Sequence, residues 1–176
     1  ALLHAQAKYR MGTSQEFKVT GTSTLHDWEM ESNQAKGDGV IAIDGAQIQG
    51  INALNISLPA KSLTSGNARM ERLAYSSLEA DKHPQIRFEL TQVRNITAST
   101  VLAEGRLTIA GQTRPVTLRA NYVVNGSSIN FKGTYSIKFS QFEIDPPTAL
   151  LGAVKTGDDL QLLFDVNFTN LDHAAR

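Results

Sequence analysis

The sequence predicts an all-β fold, an antiparallel sheet interrupted by one short helix. Three observations carry this. Apolar and polar residues alternate with period two in several separate runs. Turn-forming pairs fall between those runs. A single segment near 67–81 breaks into helical spacing instead. Such alternation marks a sheet with one dry and one wet face, as antiparallel sheets show and doubly buried parallel sheets do not.

In chain order, the first run is Thr22-Ser23-Thr24-Leu25-His26-Asp27-Trp28, continuing to Met30 and Glu31. Read as a strand, it places His26, Trp28 and Met30 on one face and Asp27, Glu29 and Glu31 on the other. The carboxylate face is the wet one, so Trp28 and Met30 point inward and His26 lies inside or at a mouth. Leu54, Ile56 and Leu58 alternate next. Asn67 can cap the helix, Glu71 lies in its first turn and Pro84 stops it. Met70, Leu73, Ala74, Ser77 and Leu78 form its apolar stripe, suited to a lid or plug or to ordinary core packing. Three further runs follow: Val116 to Tyr122, Phe131 to Phe139 and Leu160 to Phe168. Turn signals are Lys36-Gly37-Asp38-Gly39, Asp44-Gly45, Asn125-Gly126 and Gly157-Asp158, of which Asn125-Gly126 is the strongest hairpin signal. About eight strands are expected on this pattern, in a barrel or a sandwich.

Composition narrows the function. The 176 residues suit one domain with a real core. Seventeen basic and seventeen acidic residues are intermixed, so nucleic acid and an anionic membrane surface are unsupported as partners. No apolar run approaches the roughly 20 residues of a membrane helix. Without cysteine there is no disulfide, thiolate metal site or cysteine nucleophile. Ala5-Gln6-Ala7 has the small-x-small form of a signal cleavage site, and Ala1-Leu2-Leu3 the look of an apolar signal core. Residues 1–15 are therefore expected to be a flexible segment, a signal or expression remnant, with the domain over 16–169 and a frayed tail over 170–176.

Catalysis finds little support. Ser, His and Asp occur together at 23–27, but adjacent strand residues face opposite ways, so Asp27 cannot orient His26 directly, and no Gly-x-Ser-x-Gly elbow exists. His4, His26, His83 and His173 have no metal-ligand spacing, and His83 reads as a helix-terminus residue. Arg69 and Arg72 share part of a helix surface, free to meet a polar ligand head or to pair with Glu71, Glu79 or Asp81. No phosphate-binding glycine loop is present.

The segment SGNARMERLAYSSLEADKHPQIRFEL at 65–90, followed by GRLTIAGQTRPVTL at 105–118, resembles the YceI-like, polyisoprenoid-binding, lipocalin-like family. The matching residues are Gly66, Asn67, Arg69, Leu73, Lys82, Pro84, Ile86 and Phe88, then Gly105, Leu107, Thr108, Gly111 and Thr113 through Leu118. The resemblance implies a lipocalin-like barrel that encloses an apolar or amphiphilic small molecule, an isoprenoid quinone or polyprenyl lipid, without enzymatic activity or a required cofactor. It also implies export, so the expected location is periplasmic or secreted. Ligand-binding residues are expected at His26, Trp28, Met30, Ile56 and Leu58, at Met70 and Leu73 of the helix, and at Ile86, Phe88, Phe131, Tyr135, Phe142 and Phe164. The alternative is a ligand-free cell-envelope or stress-related interaction module with a packed barrel. A homodimer is left open.

Overall fold

The structure, a computed structural model, describes residues 5–174. Ten strands and one main helix follow in order: β1 Gln6–Ser23, β2 Trp28–Ser32, β3 Lys36–Asp44, β4 Gln47–Pro59, α1 Ala68–Ser77, β5 Gln85–Ile96, β6 Thr100–Ile109, β7 Gln112–Asn125, β8 Ser128–Lys138, β9 Thr148–Ala149 and β10 Val154–Asn170, with a helical turn, α2, at Leu171–Ala174. Eight of the strands close into an antiparallel barrel in the order β1-β3-β4-β5-β6-β7-β8-β10 and back to β1. Pairing of β1 with β10 closes the ring, one way for a sheet to avoid long exposed edges. The two remaining strands are additions: β2 pairs with the second half of β1, and β9 with the start of β10.

The alternating runs at Leu54–Leu58, Val116–Tyr122, Phe131–Ile137 and Leu160–Phe168 fall inside β4, β7, β8 and β10. Tight turns at Gly45 and Gly126 carry positive φ of 62° and 60°, as the Asp-Gly and Asn-Gly pairs require.

Other expectations need correction. The first strand begins at Gln6, so residues 6–15 belong to the barrel rather than to a flexible leader. Tyr9 and Met11 are buried there while Lys8 and Arg10 are exposed. The alternation is hidden because β1 bulges between Met11 and Gln15, over the polar stretch Gly12-Thr13-Ser14. At this point β1 changes partner from β3 to β2, and Gln15 bridges the gap. Its Nε2 donates to the Ala35 carbonyl at 2.9 Å, and Ala35 N–H donates to its Oε1 at 2.8 Å. The first part of the expected leader, residues 1–4, lies outside the described residues.

Lys36-Gly37-Asp38-Gly39 is strand, not turn. A β-carbon at Gly37 would come within about 3 Å of Met11, Asn55 and Phe168, so a closely packed sheet crossing, not a reversal, occupies this site. Gly157-Asp158 likewise lies in β10, beside the bulge that faces Gly21–Ser23. The helix stops at Ser77, short of 81. At the other terminus, Asn170 closes β10 and its Oδ1 accepts from Asp172 N–H at 2.9 Å, so the expected frayed tail begins as a capped helical turn.

The barrel has two unlike ends. One is filled by Tyr9, Ile41, Ile48, Tyr122, Ile129 and Phe168, all at most 4 % exposed. Phe131 packs edge-on against Phe168 with ring centroids 5.9 Å apart. Tyr122 donates its hydroxyl to the Thr97 carbonyl at 2.6 Å and accepts from Ile48 N–H at 3.2 Å, tying three strand ends together. The other end carries the connections at 24–27, 60–84, 110–111 and 139–153.

Candidate functional site: an apolar cavity beneath a helical lid

Between the filled end and the connections lies a cavity of about 530 Å³. Its walls come from nearly every strand of the ring, and its floor is Phe131, Val166 and Phe168. On β10 it is lined from Leu160 to Phe168, a span of about 25 Å at the usual strand rise. The lining is mostly apolar; His26, Asn67 and Arg69 stand near the helix and mouth loops, and Lys18 and Tyr135 are among the polar residues that border it from the strands.

The helix forms one side of the mouth. Asn67 Oδ1 accepts from the N–H groups of Arg69 and Met70 at 3.1 and 3.2 Å, and Glu71 accepts from Ser65 and Gly66 N–H at 2.8 and 3.2 Å. None of its residues is fully buried: Met70, Leu73, Ala74 and Ser77 border the cavity, and Met70 and Ala74 also touch the core cluster. The segment before it, 60–64, is fastened to β2 by paired backbone bonds between Glu31 and Thr64, both 2.9 Å. A buried contact of 2.6 Å between the Ser32 and Ser62 hydroxyls adds to this. Ser62 gives its proton to the Pro59 carbonyl, so Ser32 is the donor. Tyr75 donates to the Leu63 carbonyl, and burial, with the nearby Glu71 charge, raises its phenol above the usual value. The lid is thus a helix held by its flanks, with its inner face left to the cavity.

Twelve of the thirteen expected site residues border the cavity. Trp28 and Met30 come from β2, Ile56 and Leu58 from β4, Ile86 and Phe88 from β5. Phe131 and Tyr135 come from β8 and Phe164 from β10, with Met70 and Leu73 on the lid. His26 is the twelfth, but not for the expected reason. It lies in a turn before β2, where Ser23 Oγ accepts from His26 N–H at 3.0 Å and donates to its carbonyl at 2.6 Å. His26 is therefore an exposed rim residue and shares no strand face with Trp28. Its Nδ1 lies 2.7 Å from the Asp27 backbone oxygen.

Phe142 is the exception. It is 2 % exposed and packs behind Val116, Ile137, Phe139 and Ile144, which line the cavity while Phe142 itself does not. The 3-10 turn Phe139–Phe142, which ends at Glu143 with φ 55°, rotates it off the strand alternation of β8. Arg69 and Arg72 form none of the expected surface pairs. Glu71 is engaged by Ser65 and Gly66, Glu79 by Lys82 and Asp81 by Lys61. Arg69 stands at the cavity margin. The turn histidine His83 packs its ring against Gly111.

Three cavity aromatics lie flat against a neighbouring strand because that strand has a glycine there. A β-carbon on Gly21 would fall 2.3 Å from Trp28, one on Gly105 2.4 Å from Phe88, and one on Gly133 2.7 Å from Phe164. The rings cover the glycine backbone and leave the lumen clear. The Trp28 indole is fixed further by Nε1 donating to the Thr22 carbonyl at 3.1 Å.

Phe17 and Val19 of β1 and Leu25 of the rim also border the cavity and were not anticipated. The alternation Phe17-Lys18-Val19-Thr20 was the available signal. Among the described residues no group of three or more His, Cys, Asp or Glu is placed to hold a metal ion, and no helix is long and apolar enough to cross a membrane.

A family model for the YceI-like domain matches residues 5–168. The chain belongs to the YceI-like family. That span begins one residue before β1, which agrees with the strand assignment and not with a domain starting at 16. A UPF0312 protein of Pseudomonas syringae pv. tomato is 26 % identical over 164 residues, covering 85 % of this chain and 78 % of the relative. Among solved structures, BcnA of Burkholderia cenocepacia superposes with a TM-score of 0.70 at 19 % identity, covering 87 % of this chain and 95 % of that one. A polyisoprenoid binding domain from Saccharophagus degradans, implicated in plant cell wall breakdown, gives 0.72 at 10 % identity over 92 % and 98 % of the two chains. These structural likenesses establish the shared YceI-like barrel.

Proposed function

We propose that this YceI-like barrel is a non-enzymatic carrier that holds the chain of an isoprenoid or similar amphiphile in its cavity. The observation that carries this reading is the continuous apolar lumen of about 530 Å³ running from a mouth beneath the helix to the Phe131–Phe168 floor. Its volume lies within the range of built small-molecule pockets. Each methylene taken from water contributes about 0.8 kcal/mol before ordering costs. The polar margin suits a ligand whose head stays at the rim and whose tail fills the depth. The polyisoprenoid-binding domain with the same barrel supports an isoprenoid, such as a quinone tail or a polyprenyl lipid, as the ligand. Storage, sequestration or transport in the periplasm is the role that fits such a carrier.

The packed-barrel interaction module is disfavoured by the same lumen. Native mass spectrometry of protein taken from its own host, followed by lipid extraction, tests the proposal. The expected result is a stoichiometric apolar chain that a delipidated sample rebinds saturably. A ligand-free protein that binds neither a polyprenol nor a quinone would overturn it.

A further inference from the structure

Four large apolar residues are markedly exposed among the described residues: Leu25, Val123, Leu150 and Leu151. Val123 stands alone on the outer wall of β7. The other three share one place. Thr24 N–H donates to the Lys155 carbonyl at 2.9 Å, and Lys155 N–H donates to Thr24 Oγ1 at 3.0 Å. These bonds join the Leu25 turn to the base of the β9–β10 connection. Leu25 and Leu150 also border the cavity, so the cluster is the outer lip of its mouth.

The tip is held, not trailing. Ala149 pairs with Val154 and Thr148 with Lys155, and Ala153 N–H donates to the Leu150 carbonyl at 3.1 Å. Between these clamps Leu150 and Leu151 both take left-handed backbone, φ 51° and 56°, before Gly152 at 87°. Successive leucines rarely adopt this conformation, which Asn or Gly would occupy with less strain. Leu151 is 109 % exposed, so no packing among the described residues compensates for it. From Pro147 to Val154 there is no charged residue.

We propose that Leu25, Leu150 and Leu151 form a wedge that seats the cavity mouth on the uncharged interfacial region of a lipid bilayer. A stable protein interface needs roughly 800 Å² per partner and some twenty residues, which a tip of three leucines does not supply. Insertion of a few apolar side chains at the level of the headgroups needs no such area. The absence of charge on the tip, on a chain of zero formal net charge, makes a zwitterionic surface sufficient. Seated in this way, the mouth opens into the acyl region, and a chain passes between bilayer and lumen without crossing water. This last step rests on the carrier reading; the docking does not.

The experiment is flotation of the full chain with phosphatidylcholine vesicles, wild type against Leu151→Asn. Asn tolerates left-handed backbone, and Leu151 lies outside the cavity wall, so the fold and the lumen are left intact. In parallel, a naphthylamine dye without vesicles reports occupancy of the lumen. Expected are flotation of the wild type that persists in high salt, a fall of about tenfold for Leu151→Asn, and equal dye binding by both. Wild-type protein that stays with the soluble fraction, or a variant that floats equally well, would overturn the wedge. So would sedimentation showing a dimer that Leu151→Asn dissolves, because the tip would then serve a second copy. Flotation without dye binding would uphold the wedge and sink the carrier reading instead.

Discussion

Gly21 and Trp28 face one another across β1 and β2, and the indole lies where a side chain on residue 21 would be. The pairing keeps the only tryptophan of the chain against the barrel wall, where it lines the cavity. Wall and volume are thus set by the same contact.

Gly21→Ala should therefore act on the cavity through Trp28. The added methyl would sit 2.3 Å from the ring, and the three nearest atoms all belong to Trp28, so the ring must move. The expected cost is about 1–3 kcal/mol of stability, the usual range for overpacking. Ligand affinity should fall with it, and Trp28→Ala should weaken binding by about 1–3 kcal/mol. A bound isoprenoid quinone should quench Trp28 emission saturably in the wild type, with an altered limiting quench in Gly21→Ala. Emission indifferent to a ligand whose binding is shown by calorimetry would remove Trp28 from the contact surface.

Phe142 and Phe164 separate stability from binding. Phe142 is buried in the cluster beside the cavity, whereas Phe164 borders the lumen. Phe142→Ala should cost about 3–5 kcal/mol in urea unfolding, with affinity of the folded protein little changed. Phe164→Leu should cost less stability and shift affinity. The reverse pattern would place Phe142 in the site after all.

How much of this was legible follows from where alternation is clean. Strands β4, β7, β8 and β10 present unbroken period-two runs, and the wall residues Ile56, Phe131, Tyr135 and Phe164 follow from them. Strand β1 is as long, but its bulge between Met11 and Gln15 inserts polar residues and breaks the period, so its first half read as a leader. His26 reached the mouth for a reason no strand pattern contains, a turn closed by the Ser23 hydroxyl. Phe142 carried the right chemistry in the wrong geometry, because a left-handed residue at Glu143 follows a 3-10 turn. The leucine tip has no periodic signature at all. Its placement depends on Thr24 and Lys155, far apart in sequence.

At the filled end, Tyr122 is the polar group whose loss should be felt most. Its hydroxyl satisfies the Thr97 carbonyl and the amide of Ile48, which is 1 % exposed. Tyr122→Phe leaves both partners without it, at a cost of about 1–3 kcal/mol. Hydrogen exchange at the Ile48 amide should accelerate more than at amides in the middle of β4. Unchanged protection there would mean that the clamp contributes nothing to closing this end.

At the mouth, Asp158 supplies a pH dependence with a defined sign. The Ser140 hydroxyl donates to one of its carboxylate oxygens at 2.6 Å and Ser140 N–H to the other at 2.9 Å, fastening the Phe139–Phe142 turn to β10. These bonds, the hydroxyl's first, hold the carboxyl below its usual value. A group depressed in the folded state stabilises it fully above its unfolded value, near 4 for an aspartate, and the contribution fades as pH falls through the lower, folded value. Asp158→Asn should therefore melt below the wild type at pH 6–7, with the gap narrowing steadily under acid conditions as the wild-type carboxylate protonates. Exchange at the Ser140 amide should follow the same course, since its acceptor is the group being titrated. A gap that is constant from neutral pH down to pH 2, or that widens, would show that the hydrogen bonds to Asp158 do not set the acid limb of stability at this mouth.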